Sequence, residues 1–202
     1  MCEVGHGRLG LAIGDVSGKG AAAALYAALS SGFLRSHAAR EPGPAEMLEA
    51  INASLNQRPI STLFVAMMYA VWDDPRRQLR IANSGLPRPI LCRNGVVQLA
   101  DASGLPMGLF PEPHYEEIPI QAEPGDLVVF FSDGVIDAAD AEDQMFGRAR
   151  VEEVVRTNYT RSAEEVVEAI FAAVATHVGD NDPFDDQTVV ALKVKDRQES
   201  GS

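Results

Sequence analysis

The chain has 202 residues and a formal net charge of −12, and 46% of its residues are hydrophobic. This length suits one domain with a sizeable core, and the acidic balance argues against nucleic acid as a partner, because phosphate backbones repel an acidic surface. Apolar runs fall short of the roughly 18 residues that span a bilayer, which argues against a membrane protein. Residues 1–10 lack the pattern of a signal peptide, so we expect a cytoplasmic protein in which Cys2 and Cys92 need no disulfide.

The first quarter of the chain predicts a strand followed by two helices. Alternating apolar residues predict the strand over 8–13, and a tight loop leads into a helix over about 21–39. The apolar stripe expected to face the core of this helix contains Leu25, Leu29 and Phe33. A second helix is predicted to follow, with Pro44 in its first turn.

The remainder of the chain predicts a series of strands, then helices, then a last strand. The predicted strands cover 61–72, 78–82, 87–92, 96–99, 115–120, 127–131 and 187–194. Helices are predicted over 148–156 and from Ser162 to about His177, where Ser162 and Glu165 form a capping box. Because the helices stand in blocks instead of alternating with strands, the order predicts an α+β fold with antiparallel sheets covered by helices.

Three aspartates share one local setting at the ends of apolar strands. Asp15 and Asp133 each come directly after such a strand, and Asp185 comes directly before one. A carboxylate buried at such a place is costly unless it is paired or binds a metal, and its hard oxygens suit Mg²⁺ or Mn²⁺. For each aspartate taken alone a turn or a helix cap is the favoured interpretation, and spacing does not decide whether the three converge.

Eight short motifs in one order resemble the SpoIIE/RsbU-like branch of the PPM (PP2C-type) metal-dependent serine/threonine protein phosphatases. Any single motif is weakly specific, whereas the ordered set covers nearly the whole chain. In chain order the motifs are Leu11 to Gly20, Thr62-Leu63-Phe64, Asn83-Ser84-Gly85 with Pro87 and Pro89, Gly104 to Gly108, Pro124-Gly125-Asp126, Ser132 to Val135, Phe146-Gly147 and Asp185 to Thr188.

The resemblance implies an α/β/β/α sandwich of two antiparallel sheets flanked by helices, with a binuclear Mn²⁺ or Mg²⁺ site. By the family pattern Asp15 would bridge the two ions, the Val16 carbonyl would be a further ligand, and Asp133 and Asp185 would hold the other ion. The same three aspartates would be the catalytic residues of a phosphatase in which a metal-activated water hydrolyses phosphoserine or phosphothreonine on a signalling protein. The implied substrate is a STAS-type anti-anti-sigma factor in a partner-switching pathway.

The N-terminal end departs from the family pattern. Members usually carry, upstream of the Asp15 strand, a Gly-Gly-Asp segment whose aspartate is a metal ligand. Here residues 1–7 pass directly into that strand, and their one acid, Glu3, does not match the motif. We therefore expect a phosphatase domain over 1–196 that lacks the usual first strand, with a disordered tail over 197–202. Two explanations stay open: the sequence is truncated, or the chain is a natural variant with an impaired metal site and reduced activity.

Three interpretations stay open from the sequence. The chain is an active phosphatase, a catalytically impaired domain that binds a protein partner, or an unrelated α+β domain with scattered turn aspartates. The phosphatase lineage is favoured, because a scaffold has no need to keep costly acids at strand ends. By resemblance such domains usually follow a sensor or receiver domain, and a missing edge strand would leave an open sheet edge through which a homodimer could form.

Overall fold

The computed structural model describes residues 2–5, 7–57, 60, 62–181 and 185–196. The tail predicted over 197–202 lies outside these residues, so its disorder stays a prediction. The chain divides into two compact units, of which the first contains Met1–Arg88 and Asp101–Gln121 and the second contains Pro89–Ala100 and Ala122–Ser202. Each unit is built on one antiparallel sheet.

The elements follow the predicted order closely. They are β1 (Cys2–Glu3), β2 (Arg8–Val16), α1 (Ala21–Ala38), α2 (Pro44–Asn56), β3 (Val65–Asp73), β4 (Gln78–Ser84), β5 (Ile90–Arg93), β6 (Val96–Leu99), β7 (Ile118–Gln121), β8 (Leu127–Phe131), α3 (Asp133–Ile136), α4 (Gly147–Asn158), α5 (Ala163–Val178) and β9 (Val189–Lys193). Two short elements were not predicted, namely β1 and α3. The strand predicted over 61–72 begins later, at Val65, and Ser61 lies outside the described residues.

The first unit contains a five-stranded sheet in the order β1-β2-β3-β4-β7. Its central strand β3 is buried on both faces, as a continuous apolar run predicts. Alternate residues of β3 (Val65, Met67, Tyr69 and Val71) belong to the same core cluster as Tyr26 of α1 and the apolar side chains of α2. The α1–α2 pair therefore covers one face of this sheet.

Helix α1 buries a different stripe from the one that the sequence predicts. Leu25 and Leu29 are 72% and 46% exposed, whereas Ala23, Tyr26 and Ser30 are buried. The aromatic ring of Tyr26 fills the core where a leucine was expected. The buried hydroxyl of Ser30 donates a hydrogen bond to the Tyr26 carbonyl (2.8 Å) and is thereby satisfied. The prediction for Leu25 and Leu29 is wrong because an Ala-rich helix with apolar residues all round gives no clear signal for its rotation.

A two-residue strand, β1, precedes β2, and the absence of the family's usual first strand stays a prediction. Strand β1 pairs antiparallel with β2, with Cys2 opposite Gly10 and Glu3 opposite Leu9. Asp15 lies six residues after Leu9 along β2, which is about 20 Å from Leu9 at the usual rise of a strand. The backbone at Glu3 is therefore remote from the backbone at Asp15 along the sheet.

The second unit contains a four-stranded sheet in the order β6-β5-β8-β9, with α3, α4 and α5 in the same core cluster. A hairpin joins β5 to β6 through Asn94 (φ 51°) and Gly95 (φ 78°), the left-handed pair that a tight hairpin turn requires. The Ser162 capping box begins α5 as predicted. Strand β8, an inner strand of this four-stranded sheet, is buried along its whole length.

The predicted α+β class, with two antiparallel sheets and flanking helices, is confirmed. Within the described part of the chain, none of the helices combines the length and the apolar character that crossing a membrane requires. A single phosphatase domain over 1–196 stays a prediction.

Candidate active site

Asp15 lies in the first unit, one residue before the end of β2 and opposite Ala66 of β3. The loop that follows is anchored to the start of β3, because the Ser17 N–H donates to the Phe64 carbonyl (3.0 Å) and the Phe64 N–H donates to the Ser17 Oγ (2.8 Å). Val16, whose carbonyl is the predicted further ligand, is the last residue of β2. The backbone of both predicted ligands is therefore held in place at this end of the strand.

Asp133 lies in the second unit, where β8 passes directly into the short helix α3. Ser132 occupies the N-cap position, and Asp133 is the first residue of the helix. The Asp133 carboxylate accepts a hydrogen bond from the Gly134 N–H (3.0 Å). This position at the end of a fully buried strand is the one that the sequence predicts.

Asp185 lies just before β9, and the structure brings its segment against that of Asp133. Ser132 is hydrogen-bonded to both Thr188 and Asp186, which lie just before the start of β9. The approach is so close that a Cβ on Gly134 would lie 3.0 Å from the carbonyl carbon of Asp186. The backbone carbonyl of Asp186 thus accepts the hydrogen bond from the Ser132 hydroxyl. Of the Asp185-Asp186 pair, Asp185 is the residue whose charge, with that of Asp133, adds to the effect of burial on the pKa of Asp137.

Asp137 is a third acid of this cluster, and the sequence analysis missed it. Partial burial of its carboxyl is the main cause that raises the pKa of Asp137, and repulsion from Asp133 and Asp185 raises it further. The residue as a whole is exposed, so the raised pKa reports local crowding of charge and not deep burial. Its spacing of four residues from Asp133, which places both on one side of a helical turn, was the available signal.

The donors of this cluster fit a divalent cation by their chemistry. Carboxylate oxygens are the hard ligands that Mg²⁺ and Mn²⁺ prefer, and a cation would relieve the repulsion that raises the pKa of Asp137. Among the residues that the structure describes, no three His, Cys, Asp or Glu side chains already converge as a set of metal ligands. The fit therefore rests on the donor type and on the mutual repulsion of the acids.

Three further candidates for a nucleophile or base in the described part of the chain have structural surroundings. Burial raises the pKa of the Cys92 thiol, which disfavours the reactive thiolate. His37 contacts the Ser54 hydroxyl (3.1 Å) and His177 contacts the Gln144 carbonyl (2.8 Å), so each histidine ties its helix to another segment.

Comparison with known proteins gives one family and one fold. The model of the family Stage II sporulation protein E (SpoIIE) matches residues 5–195. The chain is 26% identical to the phosphoserine phosphatase RsbU of Bacillus subtilis (strain 168), over 93% of this chain and 56% of that protein. The chain covers 34% and 33% of the length of two other curated relatives.

Two solved structures show the same fold. The PP2C phosphatase domain of SpoIIE from Bacillus subtilis, with a fragment of its regulatory domain, has a TM-score of 0.85 and 21% identity over 98% of this chain and 58% of that chain. The SiaA-PP2C domain of Pseudomonas aeruginosa has a TM-score of 0.81 and 21% identity over 94% of this chain and 81% of that chain. The fold is therefore PP2C-like, and the chain belongs to the SpoIIE family, in the SpoIIE/RsbU-like branch of the PPM phosphatases that its motifs predict.

Proposed function

We propose that the chain is a metal-dependent phosphatase that hydrolyses phosphoserine or phosphothreonine on a signalling protein. The observation that carries this proposal is the close approach of the segments that contain Asp133 and Asp185, which the hydrogen bonds of Ser132 hold together. Burial, and then repulsion from Asp133 and Asp185, raise the pKa of the nearby Asp137, and an acid perturbed in this way is common at functional sites. The similarity to a named phosphoserine phosphatase supports the same substrate class.

We propose Asp15, the Val16 carbonyl, Asp133 and Asp185 as the ligands of two divalent ions. All of them are oxygen donors. Asp15 and Val16 pair with β3, and residues next to Asp133 and Asp185 are hydrogen-bonded to each other through Ser132. When bound, Mg²⁺ or Mn²⁺ supplies charge neutralisation of the phosphoryl oxygens and activation of the attacking water. The three aspartates are the proposed catalytic residues.

The reaction is a hydrolysis that needs no covalent enzyme intermediate. Water adds its hydroxyl to phosphorus, the bond from phosphorus to the serine or threonine oxygen breaks, and a proton goes to that oxygen. The role of the chain is to orient the phosphoryl group and the water through fixed carboxylates, since positioning and charge stabilisation provide most of the catalysis in phosphoryl transfer. The buried Cys92 is consistent with this route because it is not available as a nucleophile.

For the substrate we propose a phosphorylated STAS-type anti-anti-sigma factor. The similarity to RsbU supports a place in partner-switching signalling, which uses a phosphorylated protein as substrate. An additional sensor or receiver domain and a homodimer belong to the same proposal, and a cytoplasmic location stays a prediction.

Metal removal tests the proposed activity. We expect protein treated with EDTA to hydrolyse p-nitrophenyl phosphate at least about 100-fold more slowly than protein with Mn²⁺ added back, because the ions supply both the activated water and the charge stabilisation. Initial rates across a Mn²⁺ and a Mg²⁺ titration measure this, and thermal unfolding of the metal-free protein shows whether the fold is retained.

A second set of rates tests the substrate class. Peptides with phosphoserine and phosphothreonine should release phosphate faster than the matched phosphotyrosine peptide. A folded protein without turnover at any metal concentration would contradict the proposal and favour the impaired, partner-binding domain.

A further inference from the structure

Ser132 joins two segments that are far apart in the sequence. Its backbone N–H donates to the Thr188 carbonyl (3.0 Å), and its hydroxyl accepts from the Thr188 N–H (3.0 Å). The same hydroxyl donates to the Asp186 carbonyl (3.2 Å), and the residue is only 5% exposed. A hydroxyl is suited to this place because it donates and accepts at once.

These hydrogen bonds connect the immediate neighbours of two proposed metal ligands. Ser132 precedes Asp133 in the chain, and its partner Asp186 follows Asp185. Each partner of this contact is bonded directly to a proposed ligand. A change in the contact between Ser132 and Asp186 is therefore expected to change the distance between the two carboxylates.

The contact lies just beyond the regular pairing of the sheet. Strands β8 and β9 pair from Leu127 opposite Lys193 to Phe131 opposite Val189. This ladder holds the strands together without Ser132, so the loss of its hydroxyl should affect the segment before β9 more than the unit as a whole.

We propose that Ser132 is a positioning residue that fixes the separation of Asp133 and Asp185 and thereby sets the affinity of the site for its divalent cation, an inference that rests on the proposed function. The hydroxyl acts through the backbone of Asp186 and Thr188 and does not itself contact a reacting atom.

Calorimetric titration with Mn²⁺ tests this role. We expect Ser132→Ala to raise the Kd for Mn²⁺ by roughly 10–100-fold, the usual effect of losing a residue that orients metal ligands. Ser132→Thr keeps a hydroxyl and should restore most of the affinity. Amide exchange at Thr188 should become faster in Ser132→Ala and stay slow in Ser132→Thr.

Ser162→Ala is the matched control in the same unit. It removes the capping hydroxyl of α5, which costs about 1 kcal/mol of stability, but it should leave the Kd for Mn²⁺ unchanged. Equal losses of affinity in Ser132→Ala and Ser162→Ala, or an unchanged Kd in Ser132→Ala, would overturn the inference while leaving the proposed function intact. Wild-type protein that binds no Mn²⁺ would overturn both.

Discussion

Replacement of Asp15 by alanine is expected to lower the Mn²⁺-dependent hydrolysis of p-nitrophenyl phosphate by about three orders of magnitude, equivalent to roughly 4 kcal/mol of transition-state stabilisation. Under the proposed function Asp15 would be a ligand of the divalent cations, so its loss would affect the activation of water and the neutralisation of the phosphoryl group together. The value of kcat/KM at saturating Mn²⁺, measured for both proteins, tests this. Asp15→Asn keeps the shape of the side chain and should lose activity nearly as much, because the charge is what binds the cation.

Asp101→Ala is a suitable control for this substitution. Asp101 also belongs to the first unit, but its side chain is 79% exposed and forms a surface ion pair with Arg88 (3.1 Å). Such pairs contribute less than about 1 kcal/mol, so both activity and stability should stay near those of the wild type. Full turnover in Asp15→Ala, with a thermal unfolding curve like that of the wild type, would remove Asp15 from the proposed ligands.

The positions of the candidate aspartates could be predicted because strands and their ends are visible in a sequence. The apolar run before Asp133 becomes β8 over the predicted residues, and the run after Asp185 becomes β9. An acid next to a buried strand is conspicuous because its desolvation must be compensated. Local pattern therefore marked these acids as candidates, whereas their roles as ligands come from the family resemblance and stay predictions.

Features that depend on tertiary contacts could not be predicted in this way. The rotation of α1 depends on which of its many apolar residues fits the core, and the structure selects Tyr26 over Leu25 and Leu29. The partners of Ser132 lie 54 and 56 residues away, so nothing near Ser132 indicates that its hydroxyl holds them. The four-residue helix α3 is too short for a periodic pattern, and Asp137 was missed with it.

Strand β1 shows how register adds to what a motif indicates. The sequence shows that Glu3 does not match the family's upstream aspartate, but it does not show where Glu3 lies. The pairing of Glu3 with Leu9 places it far from Asp15 along β2. The register thus gives no reason to include Glu3 among the proposed ligands.

Gly134→Ala is expected to cost about 2–3 kcal/mol of unfolding free energy and to lower activity roughly 100-fold. A Cβ at this position would lie 3.0 Å from the carbonyl carbon of Asp186 and closer still to its oxygen, and 3.4 Å from the Cβ of Asp185. Because the obstacle is backbone and not a flexible side chain, the segment before β9 must move away. Chemical denaturation and the Kd for Mn²⁺ measure the two consequences separately.

Gly32→Ala separates this collision from the general effect of adding a methyl group. Gly32 lies in α1, and no atom is within 4 Å of the Cβ that would be added there. Alanine in a helix interior is favoured over glycine by about 0.5–1 kcal/mol, so this variant should be slightly more stable and fully active. A Gly134→Ala protein that is as stable as the wild type and binds Mn²⁺ equally well would mean that the Asp185–Asp186 segment can shift without loss. In that case close contact between the two segments would not be what positions Asp185 beside Asp133.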